Sequence, residues 1–467
     1  MARPSPGDEL EISIDDLAFG GAGVGRSDGF VVFCPDTAPG DLVRVRVRKR
    51  KRRHAEAELV EVLRAGPDRH DPPCPYVPRC GGCRMQHLDY SLTLDAKRRQ
   101  IQEHLARIGG LRGVDVRPAE PAKERFNYRN KMEYSAFQDE DGIVRLGFHE
   151  RGRWDAMVAL DSCMLATARG NAARETVAEW ARREGLTGWD RREHTGQLRH
   201  VVVREGIATD ELLVTVVSSP GCEEEVDRLA PPLAERHPEL VGLLHSVSAG
   251  VAETTADLPT RVVHGGSRFH ERVRGVTLEL SAGAFFQTNT LMTEVLYEHV
   301  SRAAHLDGSQ VLYDLFAGVG SIGVCLADGA REVVAIEIVP EAAADARRNA
   351  ERNGVRNHTV VAGDVRVVLR EQRGAFPLPD VVVVDPPRGG LSGGACRRVL
   401  ELAPPVIVYV SCQPATFADN ARRFVDGGYR LEYVQPVDMF PQTPHIEAVA
   451  RFVRSEGDSA APADRPV

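Results

Sequence analysis

Short apolar runs recur at regular intervals through the last third of the chain. Residues 311–313, 333–336, 360–362, 381–384 and 405–410 are each too short for a buried helix, and Gly, Pro or an acid closes most of them. Such runs read as strands covered on both faces. Helix-length segments separate them, so from residue 276 onward the pattern predicts an α/β fold with a doubly wound sheet. Residues 125–275 alternate strand-like runs (201–203, 212–217) around one amphipathic helix near 175–183, which predicts a β-rich central domain. Residues 91–108 have helical spacing and carry Lys97, Arg98 and Arg99. Near the N-terminus, Val43-Arg44-Val45-Arg46-Val47-Arg48 alternates strictly, valines to one face and arginines to the other. With glycine turns at 20–25 and 39–41 and a strand over 29–34, this block predicts a small β-barrel.

The pattern divides the chain into a barrel over 1–66, a cysteine-containing central domain over 67–275, a catalytic α/β domain over 276–454 and a disordered tail over 455–467. The helix over 91–110 is expected to pack on the catalytic domain. At 467 residues there is room for about two to four domains. No apolar stretch approaches a membrane span, and the acidic, Pro-containing start does not read as a signal peptide. Nine cysteines without a secretory signal favour thiol chemistry or metal ligation over disulfides, and the cytoplasm as location.

A net charge of −8 argues against nucleic acid, but the charge is segregated. Eight of the ten residues from Arg44 to Arg53 are basic. The acids of that block are expected elsewhere, leaving a phosphate-binding face without sequence specificity. A solvated edge strand is the alternative. The segment Phe126-Asn-Tyr128-Arg129-Asn130-Lys131 interleaves aromatics with cations. It reads either as a clamp on nucleotides or as an ordinary amphipathic strand.

Cys74-x5-Cys80-x2-Cys83, with Pro and Gly between the thiols, can fold around one metal centre, and Cys163 is the remote candidate for a fourth ligand. Four thiolates suit zinc or an iron–sulfur cluster, and the spacing leaves both open.

In Asp314-Leu-Phe316-Ala-Gly318-Val-Gly320, glycines at a strand–helix turn let the backbone approach a ligand. Glu337, ending the next strand, is placed for ribose hydroxyls, and Asp364, ending the one after, for an adenine amino group. The last glycine of a dinucleotide fingerprint is absent, and the acids are spaced as in S-adenosylmethionine enzymes. Asp385-Pro-Pro-Arg388 alone would fit amino methylation. Cys412, in Ser411-Cys412-Gln413-Pro414 at another strand end, adds a nucleophile that amino methylation does not need. The helix after it should favour the thiolate. Glu447, opening the final strand, is the candidate general base.

Taken together, these residues resemble the RNA uracil-C5 methyltransferases, the family that forms 5-methyluridine, over nearly the whole chain. The resemblance implies a Rossmann-like S-adenosylmethionine methyltransferase domain behind an OB-like TRAM barrel that binds RNA. It also implies a 4Fe-4S cluster on Cys74, Cys80, Cys83 and Cys163, a choice the spacing does not make. Ala284-Phe285-Phe286-Gln287-Thr288-Asn289 is similar to the segment whose glutamine contacts the cofactor. By the same resemblance Phe316, Glu337, Asp364 and Asp385 line the S-adenosylmethionine site with the turn glycines, Cys412 is the nucleophile and Glu447 the base. Ser321 stands where ribosomal-RNA members often carry Asn, and Asp364 where some do. The implied substrate is a single-stranded or flipped uridine, in large-subunit ribosomal RNA by analogy, with transfer RNA and a non-catalytic RNA-binding role as alternatives. A monomer is the default.

Overall fold

The computed structural model describes residues 3–255, 258–371 and 374–455. Of the tail expected over 455–467, all but Ser455 lies outside the described residues. Five strands, β1 (Glu9–Leu17), β2 (Gly23–Ser27), β3 (Phe30–Cys34), β4 (Leu42–Arg50) and β5 (His54–Arg64), close into a barrel in the order β1-β2-β3-β5-β4. Val43, Val45 and Val47 fill its interior with Ile12, Ile14 and Val32, as the alternation requires.

The arginine face of β4 differs from expectation. Arg44 pairs with Glu11 and Glu61, Arg46 with Glu9 and Glu58, and Arg48 with Glu58, all across neighbouring strands. The acids lie beside this face because β1 and β5 flank β4 and carry glutamates in register with it, such as Glu11 opposite Arg44. Among the described residues, no ion pair engages the cations from Lys49 to Arg53, at the end of β4 and in the turn before β5.

Helix α1 (Tyr90–Arg107) follows the cysteine loop and is capped by Asp89, which accepts the Ser91 N–H. Its Ile101 and Leu105 enter the core of the catalytic sheet beside Phe417 and Phe424. The central domain is a seven-stranded sheet, ordered β12-β11-β10-β9-β6-β7-β8. Its strands are β6 (Lys131–Gln138), β7 (Val144–His149), β8 (Met157–Ala159), β9 (Leu198–Gly206), β10 (Glu211–Ser218), β11 (Leu240–Val247) and β12 (Thr260–Gly265). Helix α2 (Ala168–Arg183) packs Val177 and Trp180 on it, with α3 (Glu223–Asp227) and α4 (Ala230–Arg236) alongside. The expected boundary at 275/276 falls in the turn of a hairpin, β13 (Arg268–Val273) and β14 (Val276–Ser281). Both strands of that hairpin pack into the same core as α5 (Thr290–Ala304).

The catalytic sheet has the order β17-β16-β15-β18-β19-β21-β20. Strands β15 (Val311–Leu315), β16 (Glu332–Glu337), β17 (His358–Ala362), β18 (Val381–Val384) and β19 (Val406–Ser411) run parallel, and β21 (Glu447–Arg454) and β20 (Tyr429–Val437) add antiparallel. Helices α6 (Ser321–Leu326), α7 (Pro340–Arg352), α8 (Val365–Glu371), α9 (Gly393–Leu402) and α10 (Pro414–Asp426) make the connections. Two separate apolar cores cover the two faces of the sheet, which is why its central strands are apolar runs without alternation. Strand order reverses between β15 and β18, the position at which open α/β sheets bind ligands outside the carboxyl ends of their strands.

Candidate active site

The topology brings the predicted residues to one edge of the sheet. The glycine turn follows β15, Asp385 follows β18, and Cys412 follows β19, all at carboxyl ends of adjacent parallel strands. Strand β21 runs the other way, so its first residue, Glu447, lies at the same edge. Ser411, the last residue of β19, is paired with Ala448, and the Cys412 thiol just after it feels the charge of Glu447 just before Ala448.

The glycine turn is built for a close ligand. Phe316 (φ +65°), Gly318 (φ +55°) and Gly320 (φ +75°) are all left-handed, a cost that a non-glycine residue such as Phe316 carries only where surrounding structure enforces it. Hydrogen bonds from the Phe316 and Ala317 N–H groups to the Ile336 carbonyl supply that enforcement. A Cβ added at Gly318 would meet nothing within 4 Å, so the turn faces open space, whereas one at Gly320 would come within 2.9 Å of Ala346. Glu337 is buried, with Oε2 accepting the Gly318 N–H at 2.8 Å and Oε1 the Val339 N–H at 2.7 Å. Ser321 is buried against Tyr297, hydroxyl to hydroxyl at 2.6 Å. Beneath the turn, buried Asp314 accepts the Gly323 N–H with one oxygen, and burial pushes its carboxyl up to about 7. Asp364 is bound through both oxygens by the Arg366 guanidinium, which holds it at about 2. Gln287 is buried, and its backbone carbonyl accepts from the Asn130 side-chain amide.

Around the thiol the electrostatics are those of a desolvated acidic pocket. Burial pushes Asp385 up to about 7. Glu447, only 3% exposed, is raised well above the usual carboxylate range by burial and then by Asp385, with Arg388 opposing. Burial, then Glu447 and Asp385, push Cys412 up to about 12, again against Arg388. The helix that starts at Pro414 was expected to favour the thiolate. Its effect, of order 1 kcal/mol and confined to the first turn, is outweighed by desolvation beside two carboxylates.

Cys74, Cys80, Cys83 and Cys163 all carry free thiols and line one cavity of about 690 Å³, together with Arg84, Arg129 and Arg151. Backbone N–H groups point at the sulfurs, Gly82 at Cys80 (3.4 Å) and Leu165 and Ala166 at Cys163. Among the described residues, no three His, Cys, Asp or Glu side chains are drawn close enough to hold one metal ion.

Two residues of the segment at 126–131 turn inward, while Asn127 is exposed and Phe126, Arg129 and Lys131 are half-buried. Tyr128 is 3% exposed and donates to the Pro441 carbonyl. Buried Asn130 holds the Gln287 carbonyl and the Thr290 hydroxyl. Its tyrosine is therefore a strut and not a stacking platform. Two residues near the site carried no signal of their own: Tyr297 reads as an ordinary apolar position of α5, and Arg388 as the tail of a proline motif. Arg388 is exposed, and no hydrogen bond or ion pair engages its guanidinium among the described residues.

A cofactor-type glycine turn at a topological switch point, with acids ending the next strands, defines the scaffold of an S-adenosylmethionine-dependent methyltransferase. Residues 89–454 match the family described as tRNA (Uracil-5-)-methyltransferase, and residues 5–60 match the TRAM domain. An uncharacterized RNA methyltransferase of Halalkalibacterium halodurans is 36% identical over 96% of this chain and 98% of its own, and one of Nitratidesulfovibrio vulgaris is 37% identical over 96% and 97%. The crystal structure of Pyrococcus abyssi tRNA (uracil-54, C5)-methyltransferase with S-adenosyl-L-homocysteine superposes with a TM-score of 0.75, at 30% identity, covering 95% of this chain and 99% of that one. The chain belongs to the S-adenosylmethionine-dependent RNA uracil-5-methyltransferase family and carries an N-terminal TRAM domain.

Proposed function

We propose that the chain methylates C5 of a uridine in RNA through a covalent bond between Cys412 and C6 of the base. The observation carrying this reading is one thiol and one buried carboxylate, Glu447, at the paired ends of adjacent antiparallel strands, close enough that the carboxylate's charge raises the thiol. Uracil C5 is a weak nucleophile. Once the Cys412 S–H proton has passed to solvent, attack of the thiolate on C6 moves the C5–C6 π pair into an enolate with carbanion character at C5. S-adenosylmethionine supplies the methyl group to that carbon by in-line displacement from its sulfonium. Glu447, in its ionised form, then takes the C5 proton, and the returning electron pair expels the Cys412 thiolate. Arg388 faces both groups and favours their charged forms. A base paired in a duplex cannot reach this edge, so the target uridine is single-stranded or flipped.

Phe316, Gly318, Gly320, Ser321, Glu337, Asp364, Asp385 and Gln287 form the cofactor site in this reading. Releasing Asp364 from Arg366 is part of binding there. Cys74, Cys80, Cys83 and Cys163 hold a 4Fe-4S cluster. What supports this is a shared cavity lined by the four thiols, with N–H groups aimed at two of the sulfurs. In this reading the chain divides into 1–66, 67–275 and 276–454 and acts as a cytoplasmic monomer. No described helix is long and apolar enough to cross a membrane.

The cysteine loop supports ribosomal RNA as substrate, by resemblance to cluster-bearing members. The action on transfer-RNA uracil-54 named for the Pyrococcus abyssi relative supports transfer RNA as the second reading. Tritium release from C5-tritiated ribosomal and transfer RNA, each with S-adenosylmethionine, tests both. Release from ribosomal RNA that vanishes with Cys412→Ala is the expected result. Release from transfer RNA alone selects the second reading, and release from neither rejects uridine C5.

A further inference from the structure

The connection between β20 and β21, residues 438–446, ends at Glu447. A loop of that length at the end of a strand pair has little of its own to hold it, yet this one is gripped from four sides. Asp438 is fully buried, with Lys97 donating to Oδ1 at 2.6 Å and Tyr90 to Oδ2 at 2.8 Å. The Met439 carbonyl accepts from the Asn289 amide at 3.0 Å, and the Pro441 carbonyl from the Tyr128 hydroxyl at 3.1 Å. The Gln442 carbonyl accepts two backbone N–H groups, Arg84 at 3.0 Å and Met85 at 3.2 Å. Gln442 itself is left-handed (φ +68°), a conformation a glutamine keeps only under such constraint.

Two of these grips come from the cysteine loop and its packing. Arg84 directly follows Cys83. Cys83 packs with Tyr128 and Leu165, with Cys163 against them. The loop that carries the base therefore rests on the wall of the cysteine-lined cavity. Its remaining grips come from α1 and from the cap of α5.

We propose that the Cys83–Met85 backbone and Tyr128 are positioning elements for Glu447, so that the cysteine-lined loop sets the geometry of proton removal from C5. This rests on the reading of Glu447 as the base. Neither Tyr128 nor the loop touches the glycine turn through these bonds, so the consequence is specific to one step. Proton removal comes after methyl transfer; when it slows, the enzyme waits with Cys412 still bonded to C6 and both a methyl group and a hydrogen on C5.

The test compares wild type, Tyr128→Phe and Glu447→Gln in the full chain, purified anaerobically. RNA tritiated at uridine C5 is used with S-adenosylmethionine labelled in its methyl group. Three quantities are read: methyl incorporated, tritium released, and denaturant-stable protein–RNA complex. Hydrogen exchange of the 438–447 peptide supplies a readout independent of activity. Tyr128→Phe removes one hydroxyl and keeps the ring in its packing. It is expected to slow tritium release about fivefold, the equilibrium weight of one neutral hydrogen bond, while methyl incorporation in the first turnover holds. Stable complex should accumulate, the peptide should exchange faster, and cofactor binding should be unchanged. Methyl transfer and tritium release falling together in Tyr128→Phe, with complex accumulating in Glu447→Gln, overturns the positioning role and leaves the base in place. Unchanged exchange and unchanged release in Tyr128→Phe overturn it as well. Failure of Glu447→Gln to accumulate complex overturns the assignment of the base, and this inference with it.

Discussion

Replacing Lys97 by Met isolates the buried ion pair that ties α1 to the catalytic loop. Lys97 is 1% exposed and Asp438 0%, and their charged atoms lie 2.6 Å apart. Burial pulls the Lys97 pKa down and Asp438 pulls it back, so the pair is held together against its own desolvation. Methionine fills most of the space of the lysine stem, which keeps the cavity term small. What remains is Asp438 buried with only the Tyr90 hydroxyl and its backbone surroundings. Leaving one charge of a buried pair without its partner costs about 3–5 kcal/mol. Lys97→Met combined with Asp438→Asn removes both charges and should recover more than about 1 kcal/mol of that loss. The assay is native-state hydrogen exchange of peptides from β19–β21, read as a free energy of opening. All three tryptophans, Trp154, Trp180 and Trp189, lie in the central domain, so their fluorescence transition in denaturant is an internal control that should not move. A single variant within about 1 kcal/mol of wild type, or a double variant as unstable as the sum of its parts, would refute the reasoning.

Three further outcomes follow from the geometry. Alkylation of Cys412 in the unliganded protein, followed by mass spectrometry against pH, should show a thiol that reacts only well above the ordinary cysteine range, because burial beside Glu447 and Asp385 raises it to about 12; a midpoint below about 8.5, the ordinary thiol value, contradicts this. Asp385→Asn should abolish methylation yet stabilise the protein at pH 8. A carboxyl raised to about 7 in the fold contributes stability present below its unfolded value near 4 and lost as pH rises through 7, so the variant should gain about 2 kcal/mol at pH 8 and little at pH 4, allowing for the partial exposure of Asp385. Replacing Lys51, Arg52 and Arg53 by Ala should weaken RNA binding and flatten its salt dependence by about one unit of slope for each phosphate that is no longer neutralised. Arg44→Ala, whose cation is already paired with Glu11 and Glu61, should change binding far less in the same salt titration.

The catalytic sheet was legible because its strands are covered on both faces and therefore stand out as apolar runs closed by Gly, Pro or Asp. The candidate site was legible for the same reason, since its residues other than Gln287 and Ser321 sit at or just after the end of such a run, or, like Glu447, open one. Pairings between distant segments were not legible. The neutralised arginines of β4 depend on barrel closure, which lays the glutamates of β1 and β5 alongside them. For Tyr128 and Asn130 an RNA clamp and an ordinary amphipathic strand stayed open, because a run of aromatic and basic residues has the same composition whether it points out or in. Only the fold shows that they brace the loops at 284–290 and 438–446. The height of the Cys412 pKa was equally hidden, because a cysteine before a helix gives no account of the carboxylates that folding brings beside it.

The central claim is a bond between Cys412 and uridine C6, and RNA carrying 5-fluorouridine at the target tests it most directly. Fluorine at C5 cannot be removed as a proton by Glu447, so the cycle stops after methyl transfer with the thiol still attached. The account predicts a denaturant-stable protein–RNA complex that requires S-adenosylmethionine, maps by peptide mass spectrometry to Cys412, and is absent in Cys412→Ala. Full methylation of ordinary uridine with no trapped complex, or a complex mapping to another residue, would contradict it.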